Sequence, residues 1–149
     1  VSEHLENRTD PAGRAIQTRH LVDAIDKYDP EAPVLLGGDF NTLTASHEER
    51  HGDPAAWLAR VAAEPGRLID VERHEPLFAD LAGSGFDWQA ANNLDLPTQR
   101  REPETPVGRI DWFFTRGLLA SAPATIAAIL PDGSPSSDHE ALAVTIRLK

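Results

Sequence analysis

The sequence of 149 residues contains no cysteine, no methionine and a single tyrosine. Without cysteine the chain can form no disulfide bond, no thiolate metal site and no cysteine nucleophile. Long apolar runs are missing as well, since none approaches the roughly 20 residues that a membrane-spanning helix needs. Because the chain starts at Val1 and has no initiator methionine, we expect it to be processed or to be part of a longer product.

Basic residues are scarce: 14 lysines and arginines stand against 24 aspartates and glutamates, for a net charge of -10. This balance argues against a broad, non-specific grip on nucleic acid, which depends on a basic surface. It does not exclude a phosphate substrate, because a divalent cation can supply positive charge locally. The densest basic cluster, Arg100, Arg101 and Arg109, could steer a phosphate or lie in a solvated loop, and both interpretations stay open.

The hydrophobic pattern predicts one α/β domain, in which helices alternate with strands. Predicted strands cover residues 1–7, 32–40, 109–115, 122–130 and 141–149, and predicted helices cover residues 10–30, 53–65 and 76–85, the last closed by glycine. We expect a long surface loop over residues 92–108. The first helix should bury Ile16, His20, Leu21, Ala24, Ile25 and Tyr28, and the second Trp57, Leu58 and Val61.

Acidic, amide and imidazole side chains stand at the ends or edges of the predicted strands. They are His4, Asp39, Asn41, Asp111 and the adjacent Asp138 and His139. In open α/β sheets, ligands bind where strands end and loops begin. We therefore treat these residues as one candidate site, drawn from segments far apart in the chain.

Each of these residues also has a plainer interpretation. The segment "GGDFN" could be an ordinary turn, and "SSDHE" could be a helix cap. Asp111 lies between Ile110 and Trp112; if buried it needs a partner such as a histidine, whereas strand alternation also allows it to face solvent. His20, His47, His51 and His74 are interpreted as surface or core histidines. The "HEERH" segment matches the zinc-protease spacing, but its polar flanks argue against a protease helix.

The segments "EHLENRTDPAGRAIQ", "GGDFNT", "GRIDWFF" and "SSDHEAL" together resemble, in order and spacing, the endonuclease/exonuclease/phosphatase superfamily of deoxyribonuclease I-like phosphoesterases. The resemblance runs from Val1 to the end of the chain, with residues 44–95 poorly matched. It implies an α/β fold that is half of a four-layer sandwich, with a mixed, mostly antiparallel sheet and helices packed on it. Residues 1–149 would form a single domain, the C-terminal portion of a family domain. The N-terminal half of that family domain would be missing or on another chain.

The same resemblance implies a role for each candidate residue. His4 and His139 would contact the scissile phosphate, and Asp111 would hydrogen-bond His139. Asp39 would orient or deprotonate the attacking water, although His139 also stays open as the base. Asn41 would hydrogen-bond the phosphoryl transition state. Magnesium or manganese would be held by Asp138, with Asp39 and Asn41 also in the metal site.

The resemblance implies a metal-dependent phosphoesterase acting on a phosphate ester of nucleic acid, lipid or a small molecule. In that family an asparagine and the principal glutamate ligand for magnesium precede the first histidine, and Glu3 is not that glutamate. An N-terminal half-domain segment is therefore the expected partner. Two alternatives stay open: a catalytically silent interaction domain, and a nuclease that acts specifically on DNA.

Overall fold

The computed structural model describes residues 1–7, 9–42, 53–63, 71–99 and 108–149, without the side chains at positions 54, 57, 58, 60 and 61. Its strands are β1 (Ser2–His4), β2 (Val34–Asp39), β3 (Asp111–Arg116), β4 (Leu118–Ile126) and β5 (Ala141–Leu148). Its helices are α1 (Pro11–Tyr28), α2 (Pro54–Ala63), α3 (Val71–His74) and α4 (Leu77–Gly83). The predicted α/β class is confirmed.

The strands form two sheets. In the first, β2 lies between β1, which runs parallel to it, and β3, which runs antiparallel. In the second, β4 and β5 pair antiparallel. The mixed, mostly antiparallel sheet that the resemblance implied is therefore confirmed, with the strands divided between two sheets.

Helices cover one face of the first sheet. Strand alternation turns Leu36 and Phe114 toward that face, where both are completely buried. Phe78 of α4 lies across them, with ring centroids 5.5 Å from Phe114 and 4.8 Å from Trp112. On the other face, Leu35 and Phe113 are only partly buried. Within the described residues, the core thus lies on the helix-covered side of this sheet.

The prediction of the buried face of α1 is wrong, because most of the residues predicted to be buried are exposed. Ile16 is 47% exposed and Tyr28 is 90% exposed, and His20 and Ala24 are also exposed, whereas Leu21 and Ile25 are partly buried against the core. The residues that α1 buries are Arg14, Ala15, Thr18 and Val22. The reason is an ion pair between Arg14 and Glu75, both without exposed side-chain surface, which turns a polar side of the helix inward.

Strand β4 begins four residues before the predicted start at Ala122. Gly117 makes the preceding turn with a φ of +68°, so the chain passes almost directly from β3 into β4. The strand then carries a bulge between Ser121 and Ala124, where Ala122 has a φ of +50°. A bulge interrupts strand alternation, so the sequence pattern there is misleading.

The predicted surface loop over residues 92–108 is partly buried. In its described part, Asn92 is 5% exposed and Thr98 is completely buried. The "HEERH" segment, Arg100 and Arg101 lie outside the described residues, as do the side chains of Trp57, Leu58 and Val61. Among the helices that the structure describes, none is long and apolar enough to cross a membrane.

Candidate active site

Three of the candidate residues lie side by side because the strands of the first sheet are in register there. His4 of β1 is paired with Asp39 of β2, and Asp39 is in turn paired with Asp111 of β3. These residues come from positions 4, 39 and 111, so the sheet alone brings them together. The strand register therefore brings these residues together at the strand ends, as predicted.

The two glycines before Asp39 allow this close approach of strands. A Cβ at Gly38, whose φ is +150°, would lie 1.8 Å from the carbonyl oxygen of Glu3. A Cβ at Gly37 would lie 2.5 Å from the ring of Phe113. The sequence "LLGGDF" therefore positions the end of β2, because larger residues would push away β1 and the Phe113 side chain.

His139 forms a hydrogen-bonded pair with Asp111. Its Nδ1 lies 2.9 Å from one carboxylate oxygen of Asp111 and 3.2 Å from the other. The side chains are 28% and 16% exposed, respectively, so the pair is partly shielded from water. The structure therefore agrees with the interpretation in which Asp111 is paired with a histidine, and not with the one in which it faces solvent. A carboxylate on Nδ1 favours the proton at that nitrogen and leaves Nε2 for other contacts.

Asp39 lies beside this pair in a half-buried position. Burial raises the pKa of its carboxyl above the ordinary value, and the charge of Asp111 acts in the same direction. The amide of Asn41, which donates to its Oδ1 at 2.8 Å, and the nearby His139 and His4 act to lower the pKa. The net direction is upward, because the effect of burial outweighs that of the hydrogen bond and the two histidines.

Asn41 and His4 differ in how firmly they are held. Asn41 is 5% exposed, has a φ of +48°, and donates a hydrogen bond from Nδ2 to the carbonyl of Leu5 at 2.7 Å. That bond fixes the chain next to His4 and uses one of the two N–H groups of the amide. The His4 side chain is 73% exposed, with Nε2 3.5 Å from Asp39 Oδ2.

Among the described residues, ligand atoms of Asp39, Asp111 and His139 all lie within 4.8 Å of one another. Asp138, predicted as a metal ligand, is exposed and does not belong to this group. Asp111 and His139 are already bonded to each other, so a cation between them would compete with that hydrogen bond. Asp39 is the member of the group whose carboxylate best fits a hard cation.

Residues that sequence analysis did not single out hold the site in place. Thr42 accepts a hydrogen bond from the Trp112 indole at 2.7 Å and donates one to the carbonyl of Arg109 at 2.8 Å. The Thr98 hydroxyl accepts hydrogen bonds from the backbone amides of Ile110 and Asp111. A threonine in a polar segment gives no distinctive signal, so only the spatial arrangement identifies these contacts.

Arg109 fits neither of its predicted interpretations, because it is 4% exposed. Its guanidinium donates to the carbonyls of Asn93 and Leu96, the latter at 2.7 Å, and lies 5.4 Å from the centre of the Trp112 ring. Burial lowers its pKa to about 10, so it stays charged at neutral pH. Arg109 therefore anchors a loop and does not face a phosphate from solution.

Comparison with solved structures identifies the architecture. A functionally unknown conserved protein from Enterococcus faecalis V583 superposes with a TM-score of 0.62 at 16% identity, over 99% of this chain and 49% of that one. An endonuclease/exonuclease/phosphatase from Bacteroides vulgatus gives 0.54 at 16% identity, over 95% and 46% of the two chains. TDP2 of D. rerio, complexed with single strand DNA product, gives 0.55 at 17% identity, over 98% and 54%.

No protein-family model and no curated protein sequence matches the chain. The chain spans about half the length of the solved structures that it resembles. At these identities the likeness concerns the fold. The chain therefore has the fold of one half of a deoxyribonuclease I-like endonuclease/exonuclease/phosphatase domain.

Proposed function

We propose that the protein is a metal-dependent phosphoesterase that hydrolyses a phosphodiester or phosphomonoester by in-line attack of water. The observation that carries the proposal is the grouping of Asp39, Asp111 and His139 within 4.8 Å at one end of the sheet. A site that holds two half-buried carboxylates and an oriented imidazole has the groups needed for proton transfer and phosphate contact. The fold of the solved structures supports the same reaction class.

In the proposed mechanism, His139 contacts the phosphate through Nε2, because Nδ1 is engaged by Asp111 at 2.9 Å. The Asp111 carboxylate holds the ring in that orientation. His4, exposed at the end of β1, contacts the phosphate from the other side. Two imidazoles on opposite sides would stabilise the negative charge of the transition state.

Asp39 orients the attacking water and accepts its proton. Asn41 keeps one N–H group beyond the bond to Leu5, and that group donates to the phosphoryl oxygens in the transition state.

The chemistry of the donor set fits magnesium or manganese, because the carboxylates of Asp39 and Asp138 and the amide oxygen of Asn41 are hard oxygen ligands. When bound, the cation neutralises charge on the phosphate oxygens. Asp39 is the half-buried member of this proposed set, and Asp138, which precedes His139 in the chain, is exposed. The remaining ligands would come from a second half-domain.

We propose that such a half-domain, on this or another polypeptide, covers the open face of the first sheet. Leu35, Phe113 and Leu142 line a depression of about 560 Å³ on that face, which extends to Asp111. Apolar sheet surface of this kind is normally covered in a folded protein.

The experiment measures hydrolysis of bis-p-nitrophenyl phosphate by the complete protein, that is, this chain together with the proposed second half-domain. It is run with magnesium and with EDTA. We expect release of nitrophenol that depends on the metal and is abolished by Asp39→Ala and by His139→Ala. His74→Ala, at an exposed histidine of α3, is the matched control and should keep full activity. Activity that survives both site substitutions would refute the proposed roles.

The substrate panel follows from the charge of the chain and from the solved structures. It contains single-stranded and duplex DNA, RNA, a phospholipid and a sugar phosphate. DNA belongs on the panel because TDP2 was solved with a single strand DNA product. The net charge of -10 argues against tight, non-specific binding of duplex DNA by this chain.

A further inference from the structure

Thr98 occupies a position between the two segments that carry Asp111 and His139. It is completely buried. Its hydroxyl oxygen accepts hydrogen bonds from the amides of Ile110 at 2.9 Å and Asp111 at 3.0 Å. Its own carbonyl accepts a hydrogen bond from the amide of Glu140 at 2.7 Å.

These contacts matter because Asp111 and His139 lie on elements that are not neighbouring strands. Asp111 begins β3 of the first sheet, whereas His139 lies in the loop before β5, the strand that pairs with β4 in the second sheet. Thr98 bonds to the backbone at Asp111 on one side and next to His139 on the other. Gln99 adds an isolated bridge to His139. The segment at Thr98 therefore sets the distance between the two partners.

We propose that Thr98 is a positioning residue for the Asp111–His139 pair. Its hydroxyl fixes the backbone at the start of β3, and its carbonyl fixes the backbone that follows His139. A hydroxyl has two acceptor lone pairs, and two amides use both of them here. The expected effect on catalysis rests on the proposed function. The expected effect on the geometry of the Asp111–His139 pair does not.

Three variants of the complete protein test the proposal. Thr98→Val keeps the shape of the side chain but removes the acceptor oxygen, and Thr98→Ser restores that oxygen on a smaller side chain. Thr98→Ala also lacks the oxygen and replaces the valine variant if that protein does not fold. Thr18→Val is the matched control, because Thr18 is equally buried and its hydroxyl donates to the Arg14 carbonyl within α1.

The first measurement is the protonation of the two His139 ring nitrogens by nitrogen NMR at one alkaline pH, assigned with His139→Gln. The pair with Asp111 predicts a proton on Nδ1, whereas a free imidazole prefers Nε2. We expect Thr98→Val to shift His139 toward the free pattern, and Thr98→Ser and Thr18→Val to keep the wild-type pattern. If Thr98 only stabilised the fold and did not position the pair, the substitution would leave this protonation pattern unchanged.

The second measurement is the kinetics of nitrophenyl phosphate hydrolysis. We expect Thr98→Val to lower kcat about 100-fold with KM within about twofold, since small misplacements of reacting groups have effects of this size. Thr98→Ser should recover most of the rate.

The outcomes separate this inference from the proposed function. A folded Thr98→Val protein with the wild-type nitrogen pattern overturns the inference, as does a Thr98→Ser protein that resembles the valine variant. A wild-type protein that hydrolyses no phosphate ester, but whose His139 pattern changes in Thr98→Val, overturns the proposed function and supports the positioning role.

Discussion

Replacement of Asp111 by asparagine tests the hydrogen-bonded pair at the centre of the site. The carboxylate contacts His139 Nδ1 through both oxygens, at 2.9 and 3.2 Å, in a partly shielded position. A hydrogen bond to a charged group contributes about 1.5–3 kcal/mol. At 1.4 kcal/mol per factor of ten, loss of that bond in the transition state lowers kcat about 10- to 150-fold.

An asparagine amide keeps the ring hydrogen-bonded but carries no charge, so the transition state loses the charge-assisted part of that bond. The assay is kcat for bis-p-nitrophenyl phosphate with saturating magnesium, on protein whose urea unfolding midpoint has been measured. Asp23→Asn, at an exposed position of α1, changes the charge by the same amount and serves as control. A loss below about threefold, or an equal loss in the control, refutes the reasoning.

Three further substitutions test the fold and the electrostatics of the site. Gly38→Ala should destabilise the protein by about 1–3 kcal/mol, because the new Cβ would overlap the Glu3 carbonyl, and urea unfolding measures the change. Glu75→Ala should cost about 3–5 kcal/mol in the same assay, because it leaves the buried Arg14 charge without its partner. Asp39→Asn should stabilise the metal-free protein at pH 7 but not at low pH. A raised carboxyl pKa in the folded state contributes stability that is present below the unfolded value of 3.8 and is lost as pH rises through the folded value.

Each of these predictions has a control and a contrary outcome. Gly83→Ala places a Cβ with no atom within 4 Å, so it should be neutral or slightly stabilising, and an equal loss at both glycines would contradict the steric argument. The pair Arg14→Met with Glu75→Leu should recover most of the stability lost in Glu75→Ala. If Asp39→Asn shifts the unfolding midpoint equally at pH 3 and pH 7, burial of the Asp39 charge does not explain the shift.

The sequence predicts the strands and the strand-end residues well, because a short apolar run followed by Asp or His marks both the element and its edge. Val34 and Leu36 belong to such a run before Asp39, and the structure buries both. The register that aligns Asp39 with Asp111 is not visible in the sequence. It depends on hydrogen bonds between segments that are more than 70 positions apart.

The buried face of α1 could not be predicted, because Arg14 is matched by a glutamate 61 residues away. Hydropathy assigns an arginine to the surface, whereas an ion pair with complete burial removes that preference. The same limit applies to Thr98 and Arg109, whose backbone contacts lie in a segment with loop composition. Polar residues that are buried by specific partners are the part of this fold that pattern analysis misses.

The most direct test of the account is a crystal structure of the complete protein with manganese and inorganic phosphate. If Asp39, Asp111 and His139 form one phosphate site, the map should show an anomalous manganese peak beside Asp39 and a phosphate oxygen at about 2.7–2.9 Å from His139 Nε2. Asp111 should remain bonded to Nδ1 in that structure. A phosphate bound elsewhere, or a His139 ring turned away from Asp39, would contradict the claim that these residues form one phosphate site.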